Sequence, residues 1–260
     1  MDENGHIIEF LNVRKRYGDG PPVLDGLSLA VGPGRIFGFI GLNGAGKTTT
    51  IRIMAGLTVS DSGETFLFGG KVAPGSDALQ ARIGYVLDEP MYFDWMNASE
   101  YLRFVAGMYE LPSRVAADRI AEILEVFGLA DTHDMPIASF STGMKKKISL
   151  AAAIIHHPRV LVLDEPFDGL DAVVSHSIKG ILRQMAAGGG TVFVTSHALE
   201  TIEKLCDSIA VIHKGKIVMQ CETKDVREKA VEVLGGSRSL EELFVGLVAE
   251  FPARNRLSWL

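Results

Sequence analysis

Four short apolar segments along the chain have the length and composition of strands that are buried on both faces. Ile36–Ile40 and Val160–Leu163 are nearly uninterrupted apolar runs, and residues 191–195 and 209–212 continue the series. Helix-compatible segments separate several of these runs. Because parallel strands are usually joined by helices that cover the faces of their sheet, the pattern predicts an α/β fold with a mostly parallel sheet.

The chain before Phe39 follows a different pattern. Apolar residues alternate there with small or polar ones, and turns rich in glycine and proline interrupt them at 18–22 and 32–34. The alternating positions include Ile8, Phe10, Val13, Leu27, Leu29 and Val31. This part of the chain is therefore predicted to be rich in β-strands.

Between residues 89 and 157 the pattern becomes helical. Asn97 and Glu100 have the spacing of a capping box, and the apolar stripe that follows them ends before Pro112. A second helix is predicted from Ser113, with Gly128 just past its end. The predicted stripe of the first helix is Tyr101, Leu102, Phe104, Val105 and Met108. The buried strands thus flank an inserted helical segment.

Charge and composition exclude several classes of protein. Asp and Glu total 32 against 26 Lys and Arg, for a formal net charge of −6, whereas nucleic-acid binding usually needs a basic excess. No run approaches the ~18 apolar residues of a membrane helix, and residues 1–4 do not resemble a secretory signal. Cys206 and Cys221 have neither disulfide nor metal-ligand spacing. We expect a cytosolic chain that does not bind nucleic acid.

The most informative segment is residues 41–49, which follow the buried run that ends at Ile40. Residues 41–48 match the phosphate-loop pattern, and a helix-compatible stretch comes next. Glycines let backbone N–H groups surround phosphate oxygens, Lys47 supplies charge to the outer phosphates, and the Thr48 hydroxyl can bind Mg²⁺. The predicted nucleotide-binding residues are Gly41, Leu42, Asn43, Gly44, Ala45, Gly46, Lys47, Thr48 and Thr49.

Two carboxylates, Asp164 and Glu165, come directly after Val160–Leu163. Open α/β sheets bind ligands at the carboxyl ends of their strands, so these side chains are well placed to meet a nucleotide. One carboxylate can hold Mg²⁺ and the next can polarise an attacking water. The pair Asp164 and Glu165 is therefore predicted to bind a metal ion and to activate water.

Several shorter motifs accompany these two in a fixed order. They are Arg16-Tyr17-Gly18, Ser62-Gly63-Glu64, residues 83–88 (Ile-Gly-Tyr-Val-Leu-Asp), 140–144 (Phe-Ser-Thr-Gly-Met), 169–171 (Gly-Leu-Asp) and 195–197 (Thr-Ser-His). With them the chain resembles, over nearly its whole length, the ATP-binding subunits of ABC transporters. Asp88 and the apolar positions of 240–247 resemble most the export-type branch that contains antibiotic and drug exporters.

The resemblance implies a P-loop NTPase core with an N-terminal antiparallel β-subdomain and an inserted α-helical subdomain. The ATP-binding core would comprise residues 1–88 and 158–222. The helical subdomain, with the signature motif, would comprise 89–157, and residues 223–260 would form a partly helical tail.

The resemblance also implies that two subunits, identical or related, meet head to tail around two ATP molecules and Mg²⁺. Tyr17 would stack on adenine, while Ser141 and Gly143 would contact the γ-phosphate of the ATP bound to the other subunit. Both precede a predicted helix over 144–155, whose N-terminus favours an anion. His197 would hold the γ-phosphate from the subunit's own side, and Glu165 would activate water.

Two positions depart from the family pattern. Thr142 stands where the family has glycine, and its β-branched side chain adds bulk near the nucleotide. Asp88 stands where the family has glutamine, and Glu89 is a rival for the same role. We expect the composite site to work because Ser141 and Gly143 are retained, with Asp88 as a metal ligand beside Thr48 and Asp164.

A separate transmembrane permease is the implied partner, which would place the chain on the cytoplasmic face of the cell membrane. The aromatic-rich residues 92–95 (Tyr-Phe-Asp-Trp) would either dock that permease or pack inside the domain. The alternatives are a soluble ABC ATPase outside transport and a regulatory subunit that only binds ATP. The run Lys145-Lys146-Lys147 is interpreted as a solvated helix face.

Overall fold

The computed structural model describes residues 5–87, 92–234 and 239–248. Its strands are β1 (Ile8–Arg16), β2 (Pro22–Val31), β3 (Ile36–Ile40), β4 (Ser62–Leu67), β5 (Gly70–Lys71), β6 (Ile83–Val86), β7 (Val160–Leu163), β8 (Thr191–Ser196), β9 (Ser208–His213) and β10 (Lys216–Glu222). Its α-helices are α1 (Lys47–Met54), α2 (Asp77–Gln80), α3 (Ala98–Met108), α4 (Ser113–Val126), α5 (Thr142–Ile154), α6 (Ala172–Ala187), α7 (Leu199–Leu205), α8 (Val226–Leu234) and α9 (Leu240–Val248).

The larger sheet has the strand order β10-β9-β3-β8-β7-β6, and every neighbouring pair except β10 with β9 is parallel. All residues of β3 and β7 are buried, as their apolar sequences require of strands covered on both faces. The predicted mostly parallel sheet is therefore confirmed. Because β8 lies between β3 and β7, the carboxyl ends of these three strands meet at one edge.

A second sheet, with the order β2-β1-β4-β5, is antiparallel throughout. The inward positions of β1, namely Ile8, Phe10 and Val13, are fully buried and pack with Phe37 and Phe39 of β3. This apolar cluster fixes the antiparallel sheet against the larger one. The predicted N-terminal β-subdomain is thereby confirmed.

The inserted segment folds into α3, α4 and α5, and Asn97 and Glu100 form the predicted capping box. The predicted stripe of α3 is wrong at two positions, because Phe104 is 41% and Met108 70% exposed. The buried line of α3 is instead Ala98, Leu102 and Ala106, which are spaced by four residues. Small alanines allow neighbouring helices to approach closely. Close helix packing, and not the size of the apolar side chains, therefore determines which face of α3 is buried.

The chain after β10 packs against the apolar core of the larger sheet. Leu240, Leu243, Phe244 and Val248 of α9 are buried and join the same apolar cluster as Ile202 of α7. Within the described residues, no helix combines the length and the apolar composition needed to cross a membrane.

Candidate functional site

Residues 41–46 form a loop between the end of β3 and the start of α1. Gly46 caps α1 with a φ of 113°, and a Cβ there would lie 2.6 Å from Leu24 Cδ2. Gly44 also has a positive φ, of 79°. Both positions therefore require glycine, both for backbone conformation and, at Gly46, for space. The loop leads directly into the N-terminus of α1, where an anion is favoured.

Lys47, the first residue of α1, folds back over this loop. Its ammonium donates a hydrogen bond of 2.8 Å to the Gly41 carbonyl and lies 3.4 Å from Glu165 Oε1. The side chain is only 7% exposed. A buried ammonium needs such partners, and they place its charge between the loop and the carboxylate.

A chain of hydrogen bonds joins α1 to the carboxyl ends of β7 and β8. The Thr48 hydroxyl donates to Asp164 Oδ2 at 3.0 Å, and the Thr195 hydroxyl donates to Asp164 Oδ1 at 2.6 Å. Thr195 Oγ1 also accepts the backbone N–H of Glu165 at 3.0 Å. Asp164 and Thr195 are both buried, so their polar atoms need these partners. The network fixes Asp164 between α1 and β8.

Glu165 has a left-handed backbone conformation, with a φ of 47°, which is unusual for a residue with a side chain. Its Oε2 accepts the backbone N–H of His197 at 3.2 Å and lies 3.2 Å from His197 Nδ1. On the other side of the imidazole, Nε2 is 3.8 Å from Asp168 Oδ1. The half-exposed His197 ring thus lies between two carboxylates at the mouth of the site.

The signature segment lies at the N-terminus of α5. The helix begins at Thr142 and not at residue 144, because the Ser141 hydroxyl accepts the Met144 N–H at 3.3 Å and caps it. Gly143 is therefore in the first turn, and the prediction that it precedes the helix is wrong. The Thr142 side chain is exposed, so its extra bulk does not occupy the interior.

The remaining predicted residues lie apart from this network or outside the described residues. Tyr17 follows β1, with its ring 47% exposed and Lys15 Nζ 5.4 Å from the ring centroid. Asp88 and its rival Glu89 belong to the part of the chain that the structure does not describe.

Sequence reasoning missed the roles of Thr195, Asp168 and Lys146. A polar residue inside the buried run 191–195 was the available signal for Thr195, since a buried hydroxyl needs a partner. Lys146 contradicts the interpretation of the lysine run as a solvated face: it is partly buried, and its ammonium donates to the Glu165 carbonyl at 2.9 Å. Nothing in the sequence indicated that contact.

The arrangement is suited to phosphate chemistry. A glycine loop at a helix N-terminus can surround phosphate oxygens, and Thr48 with Asp164 offers the hard oxygen donors that Mg²⁺ prefers. Glu165 adds a carboxylate next to the Lys47 ammonium. The fold and the site together define a P-loop nucleoside triphosphatase.

Comparison with known proteins narrows this class. A family model described as ABC transporter matches residues 24–168. The chain is 36% identical over 197 residues to an uncharacterised ABC transporter ATP-binding protein of Nostoc sp., a match that covers 75% of this chain and 58% of that protein. It is 36% identical over 234 residues to the Nod factor export ATP-binding protein I of Ralstonia nicotianae, covering 88% of this chain and 73% of that protein.

A bacitracin transport ATP-binding protein of Bacillus licheniformis is 36% identical over 213 residues, covering 82% of this chain and 68% of that protein. A solved structure of an ATP-binding subunit of an ABC transporter shares 30% identity with a TM-score of 0.85, covering 93% of this chain and 99% of that one. The chain belongs to the ABC transporter ATP-binding family and is an ATPase subunit of that family. The resemblance to the export-type branch is confirmed.

Proposed function

We propose that two such subunits, either two copies of this chain or this chain and a related one, close head to tail around two ATP molecules with Mg²⁺. Closure and reopening would drive a separate transmembrane permease from the cytoplasmic face of the membrane. One observation carries the binding and hydrolysis of ATP in this proposal: the hydrogen-bond network of Thr48, Asp164, Thr195 and Glu165. It holds oxygen donors for a metal next to a carboxylate that can accept a proton.

The donor set fits Mg²⁺. Thr48 Oγ1 and Asp164 Oδ2 are 3.0 Å apart, and both are oxygen ligands of the kind this ion prefers. Asp164 keeps its orientation because Thr195 holds its other oxygen. When bound, Mg²⁺ would neutralise charge on the β- and γ-phosphate oxygens. A third ligand from Asp88 remains a prediction.

Hydrolysis needs a base, and Glu165 is the proposed one. Its carboxylate takes a proton from a water molecule, whose oxygen forms a bond to the γ-phosphorus while the bond to the β–γ bridging oxygen breaks. The products are ADP and phosphate. Lys47 turns from Glu165 to the outer phosphates, and His197 contacts the γ-phosphate beside Glu165. Tyr17, with its exposed ring, stacks on adenine.

The signature segment supports a role across a subunit interface. Ser141 and Thr142 are exposed at the N-terminus of α5. A Cβ at Gly143 would have no neighbour closer than 3.9 Å, so the space over this turn is open. Exposed N–H groups and a hydroxyl at a helix N-terminus suit a phosphate that a second subunit brings.

Mass measurement tests the dimer. Glu165→Gln should retain ATP and form a dimer in Mg²⁺ and ATP, as measured by size-exclusion chromatography with light scattering. Lys47→Ala should remain monomeric as the matched control, since it lacks the ammonium for the outer phosphates. A Glu165→Gln chain that stays monomeric at saturating ATP would contradict a homodimer.

Of the aromatic residues in 92–95, one packs inside the helical segment and the others form a partly exposed cluster. The Tyr92 hydroxyl donates to the Lys145 carbonyl at 2.9 Å, so this residue packs inside the segment. Trp95 is 74% exposed, and Phe93 contacts both Trp95 and Phe104 with ring centroids 5.3 and 4.9 Å apart. We assign the Phe93, Trp95 and Phe104 cluster, rather than Tyr92, to permease docking.

Isolation from membranes tests the partner. A tagged chain from its own host should co-purify with a multi-span membrane protein, and Trp95→Ala should weaken that association. Val126→Ala, at a 59% exposed position of α4, serves as the control. Recovery of the chain with ribosomes in place of membranes would favour the soluble alternative.

The name of the Ralstonia relative, a Nod factor export protein, supports export as the direction of transport.

A further inference from the structure

The backbone of Glu165 is held from two opposite sides. Its N–H donates to the Thr195 hydroxyl at 3.0 Å, and its carbonyl accepts the Lys146 ammonium at 2.9 Å. Thr195 belongs to β8 and Lys146 to α5, so one bond comes from the sheet and the other from the inserted helical segment. A residue other than glycine adopts a φ of 47° only where its surroundings stabilise that backbone conformation. These two hydrogen bonds help to stabilise it at Glu165.

Lys146 lies on the same helix as the signature segment. The helix is capped by Ser141, and Lys146 follows in its early turns. A cavity of about 200 Å³ separates this part of α5 from the end of β7, and its lining includes Lys146, Leu150, Leu163 and Asp164. A cavity lacks the packed atoms that would transmit a displacement. The hydrogen bond from Lys146 to the Glu165 carbonyl is a direct link between α5 and the residues that follow β7.

We propose that Lys146 is a positioning residue for Glu165, and that it couples the helix that contacts one ATP to the base that hydrolyses the other. This inference rests on the proposed function, because the two ATP molecules belong to a dimer. Contact of Ser141 with the γ-phosphate of the opposite site orients α5. The Lys146 ammonium then sets the Glu165 peptide, and with it the carboxylate, for attack by water.

The lysine run supplies its own control. Lys147 is adjacent, carries the same charge, belongs to the same helix and is also partly buried. The described hydrogen bonds of Glu165 come from Lys146, Thr195, His197 and the backbone N–H of Asp168, and none comes from Lys147. Replacing either lysine with methionine removes one charge and the N–H donors and keeps most of the length of the side chain, so a difference between the two variants reports the bond to Glu165.

Steady-state ATPase kinetics test the proposal. Lys146→Met should lower kcat about tenfold, the scale of one hydrogen bond to a charged group, and leave KM within twofold of the parent value. The Hill coefficient for ATP should fall toward one. Lys146→Arg should restore most of the rate, and Lys147→Met should match the parent.

A second measurement separates positioning from stability. In a Glu165→Gln background, Lys146→Met should cause no further loss of the residual rate, because the residue acts through Glu165. If Lys146→Met fails to fold, Lys146→Leu, which also lacks an N–H donor, serves in its place with Lys147→Leu as its control. Equal kcat values for Lys146→Met and Lys147→Met, or a further loss without the Glu165 carboxylate, would overturn the proposal. A parent chain whose ATPase is insensitive to Glu165→Gln would instead refute the proposed function.

Discussion

The carboxyl edge of the larger sheet and the outer face of the inserted helical segment use their side chains in opposite ways. At the sheet edge, Asp164 and Thr195 are polar, buried and hydrogen-bonded to each other. On the helical segment, Trp95 and Phe104 are apolar and exposed. Buried polar groups are costly unless their partners are in place, whereas an exposed apolar patch gains free energy only when another surface covers it. The first region is organised for chemistry and the second for association.

The largest effect should come from the catalytic edge. Glu165→Gln removes the proton acceptor and should lower the ATPase rate about 10²-fold or more. The thermal unfolding midpoint should also fall, because the buried Lys47 ammonium loses its ion pair with the carboxylate, although it keeps its hydrogen bond to the Gly41 carbonyl. Phosphate release and thermal unfolding measure the two quantities. Glu125→Gln, at an exposed position of α4, should leave both unchanged. If Glu165→Gln hydrolysed ATP at the rate of the parent chain, the assignment of Glu165 as the catalytic base would be wrong.

A smaller loss of ATPase activity should follow from a substitution in β8, the strand that lies between β3 and β7. Thr195→Val keeps the shape of the side chain but removes a partner from Asp164 Oδ1 and from the Glu165 N–H. The ATPase rate should fall roughly tenfold, and the free energy of unfolding by about 1–3 kcal/mol, the usual cost of unsatisfied buried polar groups. Phosphate release and urea unfolding would measure these changes.

The matched control for Thr195 lies at the other end of the same strand. The Thr191 hydroxyl is also buried and accepts the Gly34 N–H at 2.9 Å. Thr191→Val should therefore lower stability and leave the ATPase rate near the parent value. Equal rate losses in both variants would show that strand β8 acts through stability alone, and the contrast between the two regions would then weaken.

The smallest effect should arise where the helical segment joins the sheet. His156 is stacked on Tyr109, with ring centroids 3.7 Å apart, and its Nε2 lies 3.2 Å from the Ile83 carbonyl oxygen. Burial lowers the pKa of His156 from 6.5 to about 4. The unfolded chain therefore binds more protons between these values, so the contribution of this residue to stability is complete above pH 6.5 and declines as the pH falls toward 4.

Urea unfolding at pH 7.5 and pH 5 measures this effect. His156→Gln should reduce the loss of stability between the two pH values, while replacement of the exposed His133 by glutamine should not. An unchanged loss in His156→Gln would assign the acid sensitivity to other groups.

Much of the fold follows from local signals in the sequence. Continuous apolar runs predicted β3 and β7, and the capping box of Asn97 and Glu100 predicted the start of α3. The glycine loop before Lys47 and the acid pair after β7 identified the phosphate chemistry. These signals are local because they depend on backbone conformation, helix capping and the side-chain period of one element.

Local patterns thus predicted most of the elements, the phosphate loop and the acidic pair, but not which distant side chains contact each other. Thr195 contacts both Asp164 and Glu165 because β8 lies between β3 and β7, a strand order that no local pattern specifies. Lys146 reaches the Glu165 carbonyl because the first turns of α5 lie beside the end of β7, across a small cavity. Phe104 and Met108 remained exposed because the alanines of α3 made the closer helix contact. Such contacts depend on packing between distant segments, and packing is settled by the whole chain.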